Sequence, residues 1–237
     1  MAREWRGALR VGLGLAASAA AFYFVCIPGT AGYDVAAQGG TRAAWVQALR
    51  VYVCIYLGFT AWTEAAIGLA RLSGVALPEN FAAPHFSYGV ADFWRRWNIT
   101  LGHWLRDHVY LPLGGAYPRR GSGARRPEWM NTAAVFAVMA VYHVLGALKL
   151  LGFGYYPPRA WIPWTLWAGL NTVGVLATRR LERPARLTLG AAGVVGLTLA
   201  FACVGHLTAF FPPGLDLANL GALYRHLLGL PRGWHAG

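Results

Sequence analysis

Charged residues are scarce in this sequence. Asp, Glu, Lys and Arg make up 13% of its 237 residues, whereas hydrophobic residues make up 57%. Because soluble globular proteins contain about a quarter charged residues, this composition argues against a soluble protein. The sequence therefore predicts an integral membrane protein, located in the cell membrane.

The charge that is present is mostly of one sign and one residue type. Arginine accounts for all but one of the 21 basic residues, which outnumber nine acidic residues and give a formal net charge of +12. Such a surplus can indicate nucleic-acid binding, but these arginines lie between apolar stretches, as the positive-inside bias of membrane proteins would place them. We therefore expect membrane lipid as a partner, and no nucleic acid.

Cysteine is also rare. Cys26, Cys54 and Cys203 lie within apolar stretches and show no metal-ligand or C-x-x-C spacing. The sequence therefore predicts no metal site. We expect the three thiols to face lipid or the protein core and to form no disulfide.

Five apolar stretches approach or exceed the length needed to cross a bilayer. We predict an all-α integral membrane fold with about five transmembrane helices, forming a single membrane domain over residues 1–237. A cytoplasmic N-terminus places the basic clusters at 1–10, 71–126 and 179–186 on one side, and the first stretch is expected to be retained rather than cleaved as a signal. The predicted spans are 11–27, 45–69, 129–151, 161–177 and 187–211.

A segment of different character lies between the second and third spans. Residues 93–115 read FWRRWNITLGHWLRDHVYLPLGG and contain three Trp, three Arg and two His. A helix over this segment is too polar to span a bilayer, so we predict an amphipathic interfacial or re-entrant helix. On a wheel of 100° per residue, its apolar face consists of Phe93, Trp94, Trp97, Leu101, Trp104, Leu105 and His108.

The same segment resembles the signature of a known family. Its pattern F-W-R-R-W-N-I-T-L-x-x-W-L-R-D-x-x-Y-x-P-L-G-G is similar to that of membrane-bound O-acyltransferases, in particular the bacterial branch that includes alginate O-acetyltransferases and the D-alanyl transfer protein of teichoic acid synthesis. The resemblance covers roughly residues 45–186. It corresponds to the C-terminal half of a usual family member.

The resemblance also indicates a catalytic residue. In the family, a hydrophobic helix that starts with Asn leads to a Trp-His-Gly whose histidine is catalytic. Here Asn131 precedes His143 by twelve positions, a similar spacing, with Tyr142 and Val144 in place of the Trp and Gly. The resemblance thus implies that His143 is the catalytic base and that Asn131 supports it. From the residues alone, a lone intramembrane histidine could instead be a hydrogen-bonding partner between helices.

The resemblance implies further supporting residues. Glu64 keeps the second acidic position of a family pattern whose first position is Gly58 here, although such a carboxylate could instead be the structural partner of an arginine. Asn98 stands where bacterial members usually have histidine, and it can exchange hydrogen bonds but cannot take up a proton at neutral pH. The remaining supporting candidates are the charged side chains Arg95, Arg96, Arg106 and Asp107.

The function that the resemblance implies is transfer of an acyl group, such as acetyl, to a hydroxyl of an extracytoplasmic glycan or a similar acceptor. This chemistry needs a base for the hydroxyl proton and hydrogen-bond donors for the developing oxyanion. It implies no bound cofactor: the acyl donor is a cosubstrate, free or on a carrier protein, and a second membrane chain could complete the reaction chamber. The alternative is a catalytically inert or partial membrane subunit with a structural or partner-binding role.

Overall fold

The computed structural model describes residues 2–20, 39–114, 127–150, 161–209 and 217–230. Across these ranges the regular secondary structure is helical, and the one β-type pairing is an isolated bridge between Phe81 and Trp97. The all-α prediction is therefore confirmed for the part of the chain that the structure describes.

Seven α-helices lie within the described ranges. A 3-10 turn at Pro84–Phe86 precedes the third of them, and a π-helical turn at Arg106–Tyr110 follows the fourth. The helices are α1 (Ala2–Ala20), α2 (Gly40–Leu72), α3 (Val90–Arg96), α4 (Ile99–Leu105), α5 (Glu128–Leu150), α6 (Trp161–Ala209) and α7 (Leu217–Leu227).

Helix α6 is interrupted at Gly190, which has φ 69° and ψ 175°. Glycine adopts a positive φ without the steric cost that a Cβ brings, so the long helix changes direction at this residue. Before the interruption, the helix continues through the basic cluster at 179–186, which lies between the fourth and fifth predicted spans.

Two helical stretches in the described ranges are long and apolar enough to cross a membrane. They are Gly40–Leu72 and Leu189–Ala209, which coincide with the second and fifth predicted spans. Helix α5 and the first part of α6 cover the third and fourth spans, and α1 covers the first half of the first span. The total of about five spans stays a prediction.

The chain divides into two compact units. One contains Met1–Pro78 and His206–Gly237, and the other contains Glu79–Gly205. In the first unit, α2 packs against both α1 and α7. The second unit holds the amphipathic segment, α5 and most of α6.

Small residues allow the close approach of α1 and α2. A Cβ added at Gly14 would lie 2.7 Å from the carbonyl oxygen of Ala61, and one added at Gly68 would lie 2.7 Å from that of Gly7. Side chains larger than hydrogen therefore cannot be accommodated without moving the helices apart. Such packing through small residues is a usual way for membrane helices to associate.

The cysteines differ from one another in the structure. Cys203 is buried and free, whereas Cys54 is disulfide-bonded. The prediction that no cysteine forms a disulfide is therefore wrong for Cys54, because spacing along a chain does not reveal which thiols meet in space. The prediction for Cys26 lies outside the described residues.

Candidate functional site

The amphipathic segment is not one helix, as the helical wheel assumed. Helix α3 ends at Arg96, Trp97 is extended at φ −101° and ψ 126°, and Asn98 is left-handed at φ 48° and ψ 56°. Asparagine enters the left-handed region more readily than most residues with a Cβ. The prediction of one continuous helix is therefore wrong at this break, and beyond it Leu105 of the predicted apolar face is buried whereas Trp104 and His108 are exposed.

Asn80 holds this break in place through its side-chain amide. Its Oδ1 accepts hydrogen bonds from the backbone N–H of Thr100 at 3.0 Å and from the Thr100 hydroxyl at 2.7 Å. Because a backbone N–H can only donate, the orientation of the Asn80 amide is fixed, and its Nδ2 donates to Asn98 Oδ1 at 3.1 Å. Asn98 thus uses its oxygen in the turn and keeps its NH₂ group as a donor.

The Asp92 carboxylate forms ion pairs with both arginines of α3. Its carboxylate accepts from Arg96 Nε at 3.0 Å, from Arg95 Nη2 at 3.3 Å and from the backbone N–H of Tyr88 at 3.1 Å. Burial on its own would raise the pKa of the Asp92 carboxyl, but the Tyr88 hydrogen bond and the arginine charges outweigh it and lower the pKa below its usual value. Arg95 and Arg96 therefore have a structural partner beside the site.

A cavity of about 490 Å³ lies against this segment within the second unit. Much of its wall is apolar and comes from several helices, with Trp94 on α3, Phe136 and Met139 on α5, and Val175 on α6. A volume of this size suits a small molecule. The polar side chains that line it are Arg95, Asn98, His103, Arg106, Tyr110, Thr132 and Arg179.

His143 lies on α5, one helical turn after Met139. Its Nδ1 is 2.7 Å from the Met139 carbonyl oxygen. Because a carbonyl oxygen can only accept, Nδ1 carries the hydrogen, and in the neutral ring the lone pair is then on Nε2. The imidazole thus has the tautomer that a base acting through Nε2 requires.

An aromatic cluster connects the cavity wall with His143. The rings of Trp94, Phe136 and Trp167 meet one another at steep angles, with centroid separations of 5.6 to 5.7 Å. Trp167 also lies 6.2 Å from the His143 ring. Such edge-to-face contacts add stability beyond the burial of the rings.

Asn171 links two members of this cluster by hydrogen bonds. Its Oδ1 accepts from the indole Nε1–H of Trp94 at 2.9 Å, and its Nδ2 donates to the Trp167 carbonyl at 2.8 Å. The residue is 2% exposed, so both bonds are shielded from water. The cavity wall on α3 is in this way tied to α6.

Five of the predicted site residues lie in three places: the cavity wall, a position one helical turn beyond it, and the first turn of α5. Asn98, Arg95 and Arg106 line the cavity, whereas His143 stands one turn beyond it. Asn131 is buried on the same helix as His143, but twelve residues correspond to about 18 Å along a helix axis, so the two are not adjacent.

The remaining candidates have charged partners of their own. Glu64 accepts from Arg10 Nε at 2.5 Å in the first unit, which is the structural pairing that the sequence left open. Asp107 pairs with Arg106 at 2.8 Å, and both side chains are largely exposed.

Sequence reasoning did not select Trp164, Trp167 and Asn171 as site residues. Their spacing of three and four positions places them on one face of a helix, which was a usable signal. What the spacing alone does not reveal is that this face packs against the histidine of α5.

The chain shows similarity to known proteins. Residues 17–156 match the membrane-bound O-acyltransferase family. A relative named probable alginate O-acetylase from Pseudomonas aeruginosa is 33% identical over 61% of this chain and 25% of its own length. A teichoic acid D-alanyltransferase from Bacillus subtilis is 37% identical over 43% of this chain and 26% of its own length. A peptidoglycan O-acetyltransferase from Helicobacter pylori is 37% identical over 35% of this chain and 16% of its own length. The chain thus spans about a quarter or less of these relatives.

Proposed function

Because the chain belongs to the membrane-bound O-acyltransferase family, we propose that it transfers an acyl group, such as acetyl, to a hydroxyl of an extracytoplasmic glycan or a similar acceptor. His143 is the general base in this proposal. The relatives support the reaction class, since their names describe O-acetyl or D-alanyl transfer on alginate, peptidoglycan or teichoic acid. A multi-pass arrangement with the N-terminus in the cytoplasm belongs to the same proposal.

The observation that carries the proposal is the hydrogen bond from His143 Nδ1–H to the Met139 carbonyl. It leaves Nε2 to take the proton of the acceptor hydroxyl while the hydroxyl oxygen attacks the acyl carbonyl carbon. The tetrahedral oxyanion then collapses, and the leaving group of the donor departs with the proton from Nε2. Throughout, the Met139 carbonyl keeps the ring oriented and favours the imidazolium by accepting from Nδ1–H.

The cavity is the place that we assign to the acyl donor. Its apolar wall suits an acyl group. Arg95, Arg106 and Arg179 also line it, and each is in an ion pair with a carboxylate, of Asp92, Asp107 and Glu128 respectively, which an anionic part of the donor or its carrier would replace. Met139 lines the cavity and also accepts the His143 hydrogen bond, so this wall lies one helical turn from the base. Asn98 offers an NH₂ donor, a role that does not require the proton uptake that asparagine lacks.

The proposal also concerns the surroundings of the site. The matched relatives are about four times longer than the aligned parts. We propose that a second membrane chain completes the reaction chamber, with membrane lipid surrounding both. No bound cofactor is required, because the acyl donor is consumed as a cosubstrate.

The test is His143→Ala, with His206→Ala as the matched control. His143 is half-buried and His206 is a buried histidine on an apolar helix, where it contacts Tyr52 rather than the cavity. In membranes that contain the full protein and its native partners, ester-linked acyl groups on the acceptor polymer are released by mild alkali and counted. We expect His143→Ala to lower transfer by about 10²- to 10⁴-fold and His206→Ala to retain it. Wild-type transfer by a normally inserted His143→Ala variant would contradict the proposal.

The second candidate function is a catalytically inert or partial membrane subunit. One observation favours it: Asn98 uses its side-chain oxygen in the turn, and its amide cannot take up a proton. In that case His143→Ala would leave acylation of the polymer unchanged. Asn80→Ala, which loosens the turn, would instead reduce acylation by a partner enzyme.

A further inference from the structure

The imidazole of His143 is held on one face by an indole. Trp164 on α6 stacks on it with a centroid separation of 4.9 Å and an interplanar angle of 20°. Trp164 is 6% exposed, and Trp167 contacts both the indole, at 5.6 Å and 71°, and the imidazole, at 6.2 Å. The three rings therefore pack against one another, and burial restricts the movement of the indole away from the histidine.

The two contacts of His143 restrict different motions. The flat indole surface fixes the plane of the imidazole, because tilting the ring would break the stack. The Met139 carbonyl selects the orientation within that plane, because a flipped ring would present a C–H to it in place of Nδ1–H. Plane and orientation together determine the direction of the Nε2 lone pair.

We infer that Trp164 is a positioning residue that holds the His143 ring so that Nε2 is aimed at the acceptor hydroxyl. The inference depends on the proposed role of His143 as base. An aliphatic side chain at position 164 would fill much of the space of the indole, but without a flat surface it would leave the His143 ring free to tilt. Misalignment of a reacting group by about 1 Å can cost about 100-fold in rate without loss of substrate binding.

The kinetic test compares Trp164→Leu, Trp164→Phe and the control Trp161→Leu in the full protein. Trp161 lies one turn earlier on α6 and is 39% exposed. We expect Trp164→Leu to lower kcat by about 10- to 100-fold with KM unchanged. Trp164→Phe, which restores a flat ring, should recover most of the kcat, and Trp161→Leu should match the wild type.

A spectroscopic test does not depend on activity. In protein labelled with ¹⁵N-histidine and assigned with His143→Gln, the wild type should show one His143 tautomer, protonated at Nδ1 and unprotonated at Nε2. Trp164→Leu should show a mixture of tautomers or exchange broadening, and Trp164→Phe should not. A single tautomer together with wild-type kcat in Trp164→Leu would overturn the inference. Wild-type transfer by His143→Ala would instead overturn the proposed function, and the ¹⁵N signals would still report whether Trp164 holds the ring.

Discussion

Two helical regions of the molecule are held together by different interactions. One is the pair of helices α1 and α2, and the other is the segment 79–110. In the pair, glycine and alanine allow two regular helices to touch, with an ion pair between Arg10 and Glu64. In the segment, an extended Trp97, a left-handed Asn98 and a π-helical turn interrupt the helices. The left-handed conformation of Asn98 costs backbone energy, and the side chain of Asn80 holds it. The cavity thus lies beside irregular backbone, whereas the helix pair depends on regular backbone and small residues.

The largest loss of stability is expected for a substitution of Gly89, the residue before α3. Its φ of 144° belongs to a region open almost only to glycine, and a Cβ there would collide with Cγ2 of Thr178. Thr178 also accepts the N–H of Val90 at 3.1 Å. We predict that Gly89→Ala lowers the free energy of unfolding by about 3 kcal/mol, measured by denaturant titration in detergent micelles.

The control for Gly89→Ala is Gly102→Ala in the same segment. A Cβ at Gly102 meets nothing closer than the Trp94 carbonyl oxygen at 3.7 Å. Alanine is favoured over glycine inside a helix by about 1 kcal/mol, so this variant should be neutral or more stable. Equal losses of stability in the two variants would show that the backbone at Gly89 is not special.

The next largest loss of stability is expected for a substitution of Asn80. Asn80→Ala removes two hydrogen bonds to Thr100 and one to Asn98. It also leaves the buried Oδ1 of Asn98 without the N–H donor that Asn80 supplies. We predict a loss of about 2 kcal/mol. Thr100→Val, which removes only the hydroxyl bond, should cost about 1 kcal/mol in the same titration. If Asn80→Ala were as mild as Thr100→Val, the turn would be held by something other than the amide.

In the helix pair, the position to change is Gly68. A Cβ there would come within 2.8 Å of Val11 Cγ2 as well as close to the backbone of α1. We predict that Gly68→Ala costs about 1.5 kcal/mol, because the two helices can separate slightly to relieve the contact. Gly58→Ala on the same helix faces open space and should be neutral or stabilising. Identical unfolding curves for the two variants would argue against close packing of α1 on α2.

The smallest effect is a pH dependence at Asp92. Its folded pKa is lowered, so its contribution to stability is present above the unfolded pKa of about 3.9 and is lost as the pH falls through the folded pKa. Because Arg95 is largely exposed, we expect Asp92→Asn to cost under about 1 kcal/mol at pH 7. The difference in unfolding midpoint between wild type and Asp92→Asn should shrink on acidification. A difference independent of pH would mean that the carboxylate charge contributes nothing.

The sequence was sufficient for the parts governed by composition and periodicity. Long apolar runs correctly indicated helices at α2, α5 and α6, and the amphipathic segment was correctly separated from the spans. The helical wheel failed at Trp97 and Asn98 because it considers only neighbours along the helix. The break there is set by Asn80, eighteen residues earlier, and the pattern of residues 93–108 contains no trace of it.

The candidate site was predictable only in part, for a similar reason. The resemblance selected His143, and the structure adds the tautomer, which depends on the carbonyl of Met139. In the sequence, Trp164 is only one residue of the predicted span 161–177, because its position against His143 requires α5 and α6 to pack together. Asn131 and Glu64 were selected by pattern, but neither lines the cavity.

In the proposed function, the acyl group is held in the cavity bounded by the amphipathic segment and α5. The most direct measurement is photolabelling of the full protein in its membranes with a short-chain acyl thioester that carries a diazirine, followed by peptide mapping. We expect adducts on cavity-lining residues such as Trp94, Phe136 and Met139, with labelling reduced by excess unlabelled thioester. Adducts confined to residues 44–67 or 206–227, with none on the cavity lining, would contradict the assignment of the cavity to the acyl group.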